Sequence, residues 1–182
     1  MLDNLKVDTR LLRQFKTKPF PFYIVESLMF ENGYQAVVLY RIASWFRHRR
    51  IPFFGPFIAR VSLTLTGADI SPAATIGPGL LVSHGTGLVI GAGVRIGADA
   101  TLLQQVTIGA PSLRRLAQMP RLGDRVFVAA GARLIGDIEI QDDVFIGANT
   151  VVTQDIPAGA KVTNNHELVV STEAEPQSES PP

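Results

Sequence analysis

The sequence predicts a mainly β chain, a parallel β-helix of six-residue repeats preceded by a small α-helical segment. Three observations predict it. Aliphatic residues recur every six positions from Ile70 to Val152, small residues follow many of them directly, and nearly all the aromatic residues lie before the repeats begin. An α-helix repeats every 3.6 residues and a half-buried strand every two. A period of six fits neither, whereas the stacked coils of a parallel β-helix produce it.

The totals bound the rest. The chain has 182 residues, 46% of them hydrophobic and 18% charged, enough for one domain and a small appendage. A net charge of +1 gives no field that would favour nucleic acid. There is no cysteine, which excludes disulfides, thiolate metal sites and cysteine nucleophiles. The first residues, Met1 to Lys6, lack the basic-then-apolar order of a signal peptide. The most apolar stretch, Ile51 to Leu65, is too short to span a bilayer and contains Arg60. The chain therefore reads as soluble and cytoplasmic.

Residues 1–66 form the helical segment. Pro21 to Phe30 is a short helix broken by Asn32-Gly33. Gln35 to Arg49 is the clearest helix, with Val38, Ile42, Trp45 and Phe46 on one face. Arg47, His48, Arg49 and Arg50 suit the negative end of its dipole, and Pro52 stops it. Pro56 to Thr66 is a third helix. The basic cluster has two readings: a solvated helix end, or a weak membrane-surface contact with Phe53, Phe54 and Phe57 at the interface. His48 reads as a surface residue.

From residue 67 the repeat takes over. Ile70, Ile76 and Val82 lead; after a slip of two come Ile90, Ile96, Leu102 and Ile108; after an interruption, Leu122, Val128, Leu134, Ile140, Ile146 and Val152. Three hexapeptides close one coil of about 18 residues, so thirteen of them predict about four coils. Each aliphatic residue points inward and stacks on its equivalent one coil away. Asp124, Asp137, Asp142 and Asp143 fall at corners. Asp155 to Gly159 is a turn, and Lys161 to Val170 a last strand or cap. The coil domain thus runs from 67 to 170. Residues 171–182, rich in Ser, Glu and Pro, are expected to be disordered.

In a regular solenoid the irregularities carry the information. One is the slip at Ser83-His84-Gly85-Thr86-Gly87. The other is the loop 110–121, with Arg114, Arg115 and Arg121 but no acid. The loop reads either as a tolerated surface insertion or as a flap over a neighbouring subunit and an anionic ligand. His84 either fills a turn or acts as a general base near neutral pH. A base needs its tautomer fixed, and Asp69, 15 residues earlier and close to one coil away, is the candidate partner. The other histidines, His48 and His166, are too scattered to complete a metal set, so no metal is expected.

The runs Gly67-Ala68-Asp69-Ile70-Ser71-Pro72-Ala73-Ala74-Thr75-Ile76-Gly77, His84-Gly85-Thr86-Gly87, Leu103-Gln104-Gln105-Val106-Thr107-Ile108-Gly109 and Val128-Ala129-Ala130-Gly131-Ala132 resemble the serine acetyltransferase branch of the hexapeptide acyltransferases. The resemblance implies that the β-helix is left-handed. It implies His84 as general base, Asp69 as its orienting carboxylate, and direct transfer from acetyl-CoA bound between subunits of a homotrimer. Backbone groups at Gly109, Ala110, Ala129 and Ala130 would hold the donor. Three departures stand out: Ser83 replaces an acid before the histidine, Gln118-Met119-Pro120 replaces the Arg-His-Pro that helps bind serine, and the helical segment is short. These departures resemble the short relatives that O-acetylate bacterial polysaccharide. The expected function is therefore acetylation of a sugar hydroxyl on a polysaccharide or its precursor. Serine O-acetylation and a non-catalytic β-helix scaffold are the alternatives.

Overall fold

A computed structural model describes residues 2–14, 19 and 21–164. Four helices precede the coils: α1 (Leu2–Arg13), α2 (Phe22–Phe30), α3 (Asn32–His48) and α4 (Phe54–Thr66). Sequence reading missed α1, because its buried stripe contains a charged residue, Asp8, one turn before Leu12. Asn32-Gly33 was expected only to break a helix, but these residues open α3. A single extended residue, Glu31, with φ −112° and ψ 100°, is enough to separate α3 from α2.

The buried face of α3 also differs from the expected one. Val38, Ile42, Trp45 and Phe46 are half-buried, whereas Gly33, Ala36, Val37, Tyr40, Arg41 and Ala43 are buried. Small residues let α3 lie close against the first coil, while its bulkier apolar side meets other helices. Phe46 stacks on Phe54 of α4 with ring centroids 5.2 Å apart. Gly33 marks the closest approach, because a Cβ there would overlap the carbonyl oxygen of Val82. Gly33→Ala is expected to push α3 off the coil and cost about 1–3 kcal/mol, as overpacking does. A thermal melt of the variant checks this.

A buried ion pair fastens the helices to the coils. Asp8 and Arg41 are 1% and 4% exposed. Arg41 Nε donates to Asp8 Oδ2 at 2.9 Å and Nη2 to Asp8 Oδ1 at 3.0 Å. The remaining donors reach the carbonyl oxygens of Ile76 and Gly77, each at 2.6 Å. Asp8 Oδ1 in turn accepts the N–H groups of Gly79 and Leu80, each at 2.8 Å. One carboxylate and one guanidinium thereby satisfy four backbone groups where the first coil would otherwise end. Tyr40 adds a further tie by donating from its hydroxyl to the Ala74 carbonyl oxygen at 2.9 Å.

The coils follow as short parallel strands on three faces. The first turn is β1 (Asp69–Ile70), β2 (Thr75–Ile76) and β3 (Leu81–Val82). The second is β4 (Val89–Ile90), β5 (Arg95–Ile96) and β6 (Thr101–Leu102). The third is β7 (Thr107–Gly109), β8 (Arg121–Leu122) and β9 (Phe127–Val128). The fourth is β10 (Arg133–Ile135), β11 (Glu139–Ile140) and β12 (Phe145–Ile146). A fifth turn, beyond the expected four, comprises β13 (Val151–Val152), a bridge from Ile156 to Ile140, and β14 (Lys161–Val162). It hides in the sequence because Ile156 follows Val152 by four positions rather than six.

The sheets run β1-β4-β7-β10-β13, β2-β5-β8-β11 and β3-β6-β9-β12-β14, all parallel. Ile70, Ile90, Ile108, Leu134 and Val152 stand in register down the first face. Every aliphatic residue of the predicted repeat from Ile70 to Val152 is buried. The residues four places on, such as Ala74, Val94, Ala100 and Val106, are buried at the corners. The corner aspartates carry bonds from coil to coil. Asp124 Oδ1 accepts the N–H of Ala98 at 2.7 Å, and Asp142 Oδ1 accepts that of Asp124 at 2.8 Å. Asp143 pairs with Arg125, whose hydrogen bonds and charge hold the exposed Asp143 carboxyl below its ordinary pKa. Asp137 pairs with Arg121 at 3.0 Å. The tail 171–182, most of the proposed cap 161–170, and His166 lie outside the described residues.

Candidate active site

The register shows where regularity fails. The pairing advances 20 residues from Asp69 to Val89. It then advances 18 from Val89 to Thr107, 26 from Thr107 to Arg133 and 18 from Arg133 to Val151. The first excess lies in the corner containing His84, between β3 and β4. The second lies in the loop between β7 and β8.

His84 is exposed and has a positive φ of 54°. Asp99, Gln105, Arg125, Asp143 and Asn149 share this left-handed backbone, so it belongs to the coil corners in general and not to His84 alone. The corner around it is firmly built. Gly87 N–H donates to the Gly67 carbonyl oxygen at 2.8 Å, and Asp69 N–H donates to that of Leu88 at 2.8 Å. Below, Gln105 N–H donates to the carbonyl oxygen of Thr86 at 3.0 Å. His84 thus rides on a bulge whose two ends are fixed.

Asp69 opens β1 on the same edge of the coil, with its side chain exposed. It does not stack directly on His84. The bulge lengthens this coil to 20 residues, so Asp69 stands opposite Val89 rather than His84. No hydrogen bond or ion pair joins the two side chains, and neither has another such partner in the chain among the described residues. Asp69 also lines a cleft of about 1220 Å³ between the helices and the coils, which His84 does not line.

A residue that sequence reasoning passed over holds the corner from outside. Asn32, at the start of α3, donates from Nδ2 to Thr86 Oγ1 at 2.8 Å and to the Thr66 carbonyl oxygen at 3.2 Å. It links the end of α4 to the second residue after His84. Gly33, beside it, packs against Gly85. The sequence signal was the Asn-Gly pair, read as a helix breaker rather than as a contact. In the reaction that the resemblance implies, Asn32→Ala is expected to lower kcat severalfold with little change in KM for acetyl-CoA, while Asn32→Asp, which lacks the amide donor, behaves like Ala. Steady-state kinetics of the two variants check this.

The four residues assigned to the donor fall into two pairs. Gly109 and Ala110 lie where the first face ends, and Gly109 has open space around it. Ala129 and Ala130 lie at the corner before β10, where that face begins. One face therefore separates the pairs within a chain. In the loop, Leu113 and Leu116 are 88% and 58% exposed. Met119 folds back over Gly91 and Gly93 of the second coil. Among the described residues, no group of three or more His, Asp or Glu side chains is placed to hold a metal ion. No helix among them is long and apolar enough to cross a membrane.

The three-faced coil with a histidine-bearing corner defines a hexapeptide-repeat transferase, and the model of the bacterial transferase hexapeptide (six repeats) matches residues 119–154. Over 135 residues the chain is 41% identical to the serine acetyltransferase of Helicobacter pylori strain 26695, covering 74% of this chain and 79% of that protein. It is 35% identical over 162 residues to that of Synechococcus elongatus, covering 89% of this chain but 66% of that protein. The crystal structure of Neisseria gonorrhoeae serine acetyltransferase in complex with serine superposes with a TM-score of 0.78 at 27% identity, covering 89% of this chain and 66% of that one. The chain belongs to the serine acetyltransferase family.

This corrects the sequence reading of the acceptor. The expectation of a polysaccharide O-acetyltransferase rested on Ser83, on Gln118-Met119 and on the short helical segment. Similarity to serine acetyltransferases across most of the chain outweighs those few positions.

Proposed function

We propose that this chain is an acetyl-CoA-dependent serine O-acetyltransferase. The observation that carries the reading is the 41% identity to a serine acetyltransferase over 79% of that protein's length. His84 takes the proton of the serine hydroxyl as its oxygen attacks the thioester carbonyl carbon. The carbon–sulfur bond breaks, and His84 returns the proton to the departing CoA thiolate, leaving O-acetylserine and CoA. Asp69 steadies the transient imidazolium. Both side chains are exposed, and among the described residues neither is paired, so both are open to an arriving acceptor. Catalytic hydrogen bonds often tighten only once substrate binds.

The homotrimer and the left-handed coil belong to the same reading. With one face separating Gly109-Ala110 from Ala129-Ala130, a donor held by both pairs would lie between two chains. Residues 67–164 then carry the reaction and the helices brace them. A cytoplasmic setting, where acetyl-CoA is available, goes with this donor. The reading is tested by thiol release from acetyl-CoA with L-serine, compared with a panel of monosaccharides and polysaccharides. Serine-dependent release is expected; release with sugars alone would overturn the proposal.

A further inference from the structure

The cleft that Asp69 faces is larger and more cationic than a serine molecule requires. It lies between the α3–α4 connection and the first two coils, with a volume of about 1220 Å³. Arg47, Arg50 and Arg60 line it, and Asp69 is the one acid among its lining residues. All three arginines are exposed, and among the described residues none has a carboxylate within ion-pair distance. Such cations usually sit on a convex surface, where water screens them. Here all three border one cleft, so their potentials add within it.

The rim is conformationally committed. Arg50 and Phe53 have φ of 56° and 68°. Left-handed backbone is uncommon for arginine and a genuine outlier for a bulky aromatic residue. The connection keeps this shape while holding Phe53 84% exposed at the cleft mouth. The opposite wall is built of small side chains, Ser71, Ala73 and Ala92, which leave the space open. Guanidinium forks match phosphate oxygens in bidentate geometry. A single carboxylate needs only one of them.

We propose that this cleft binds a phosphate-bearing small molecule of about nucleotide size, its phosphates held by Arg47, Arg50 and Arg60 and its ring or apolar part against Pro52 and Phe53. The phosphates occupy the arginine side, away from the like charge of Asp69. The site stands on the cleft and its charges and does not depend on serine being the acceptor. Two sources share this chemistry, the phosphates of the acyl donor and a separate nucleotide.

Isothermal titration of the full chain with pyrophosphate tests the proposal. The wild type is expected to bind, and more weakly as salt rises. The Arg47→Gln/Arg60→Gln double variant is expected to bind roughly a hundredfold more weakly, about tenfold for each charged hydrogen-bonding group removed. Competition by CoA assigns the phosphates to the donor; binding of ADP without competition by CoA assigns a separate nucleotide. Absence of pyrophosphate binding, equal binding by the double variant, or an arginine-dependent association seen only with vesicles containing phosphatidylglycerol would overturn it. His84→Ala separates this proposal from the proposed reaction, since it should lose turnover yet bind pyrophosphate as the wild type does.

Discussion

Replacing His84 with alanine is expected to lower acetyl transfer by about a hundredfold to ten thousandfold, the usual contribution of a positioned general base. The effect should fall on kcat, because in the proposed reaction the imidazole moves the proton from the serine hydroxyl to the departing thiolate and binds neither substrate. The fold should survive. The His84 side chain is exposed and makes no hydrogen bond among the described residues, and the corner that carries it is held by backbone bonds at Gly87, Asp69 and Gln105. Relief of the positive φ is not expected to matter, since alanine meets the same backbone penalty. Circular dichroism and an unchanged melting temperature would show an intact coil. A variant that melts normally but turns over at the wild-type rate would remove His84 from the mechanism.

Breaking the Asp8–Arg41 pair is expected to give the largest loss of stability. Removing one partner of a buried ion pair typically costs about 3–5 kcal/mol, because the other charge is left buried and unpaired. For a chain of this size that corresponds to a fall in melting temperature of roughly 6–20 °C. Replacing both residues with apolar side chains often rescues such a pair. That rescue should fail here. The N–H groups of Gly79 and Leu80 and the carbonyl oxygens of Ile76 and Gly77 would all lose their partners. Comparing melts of Arg41→Ala with the Asp8→Leu/Arg41→Met double variant tests this directly; full recovery in the double variant would show that the backbone bonds contribute little.

The legibility of this chain follows from its architecture. The coil positions could be read because each inward residue meets an equivalent one coil away, so one rule of spacing governs Ile70 through Val152. The fifth turn escaped because Ile156 breaks the spacing while keeping the burial. The helices were harder. Their buried stripe mixes Gly33, Ala36 and Tyr40 with the charged pair, and charge on a buried face defeats a search for apolar periodicity. In the site, His84 was visible as the lone histidine of the repeats. Asp69 was visible as its candidate partner, but not its register opposite Val89, since a bulge changes the coil length and the sequence does not show which strands pair. Asn32 was invisible for a similar reason: its partner Thr86 is 54 residues away. The acceptor was misread because individual loop positions were weighed against the similarity of the whole chain.

In the proposed reaction, acetyl groups pass from CoA to the oxygen of serine under the control of His84. Incubating wild type and His84→Ala with acetyl-CoA labelled with carbon-13 in the acetyl group, together with L-serine, and following the label by NMR tests it most directly. An ester resonance of O-acetylserine is expected to build up with wild type and to be nearly absent with the variant. Label that stays on CoA in the presence of serine, or that appears at the same rate with both proteins, would contradict it.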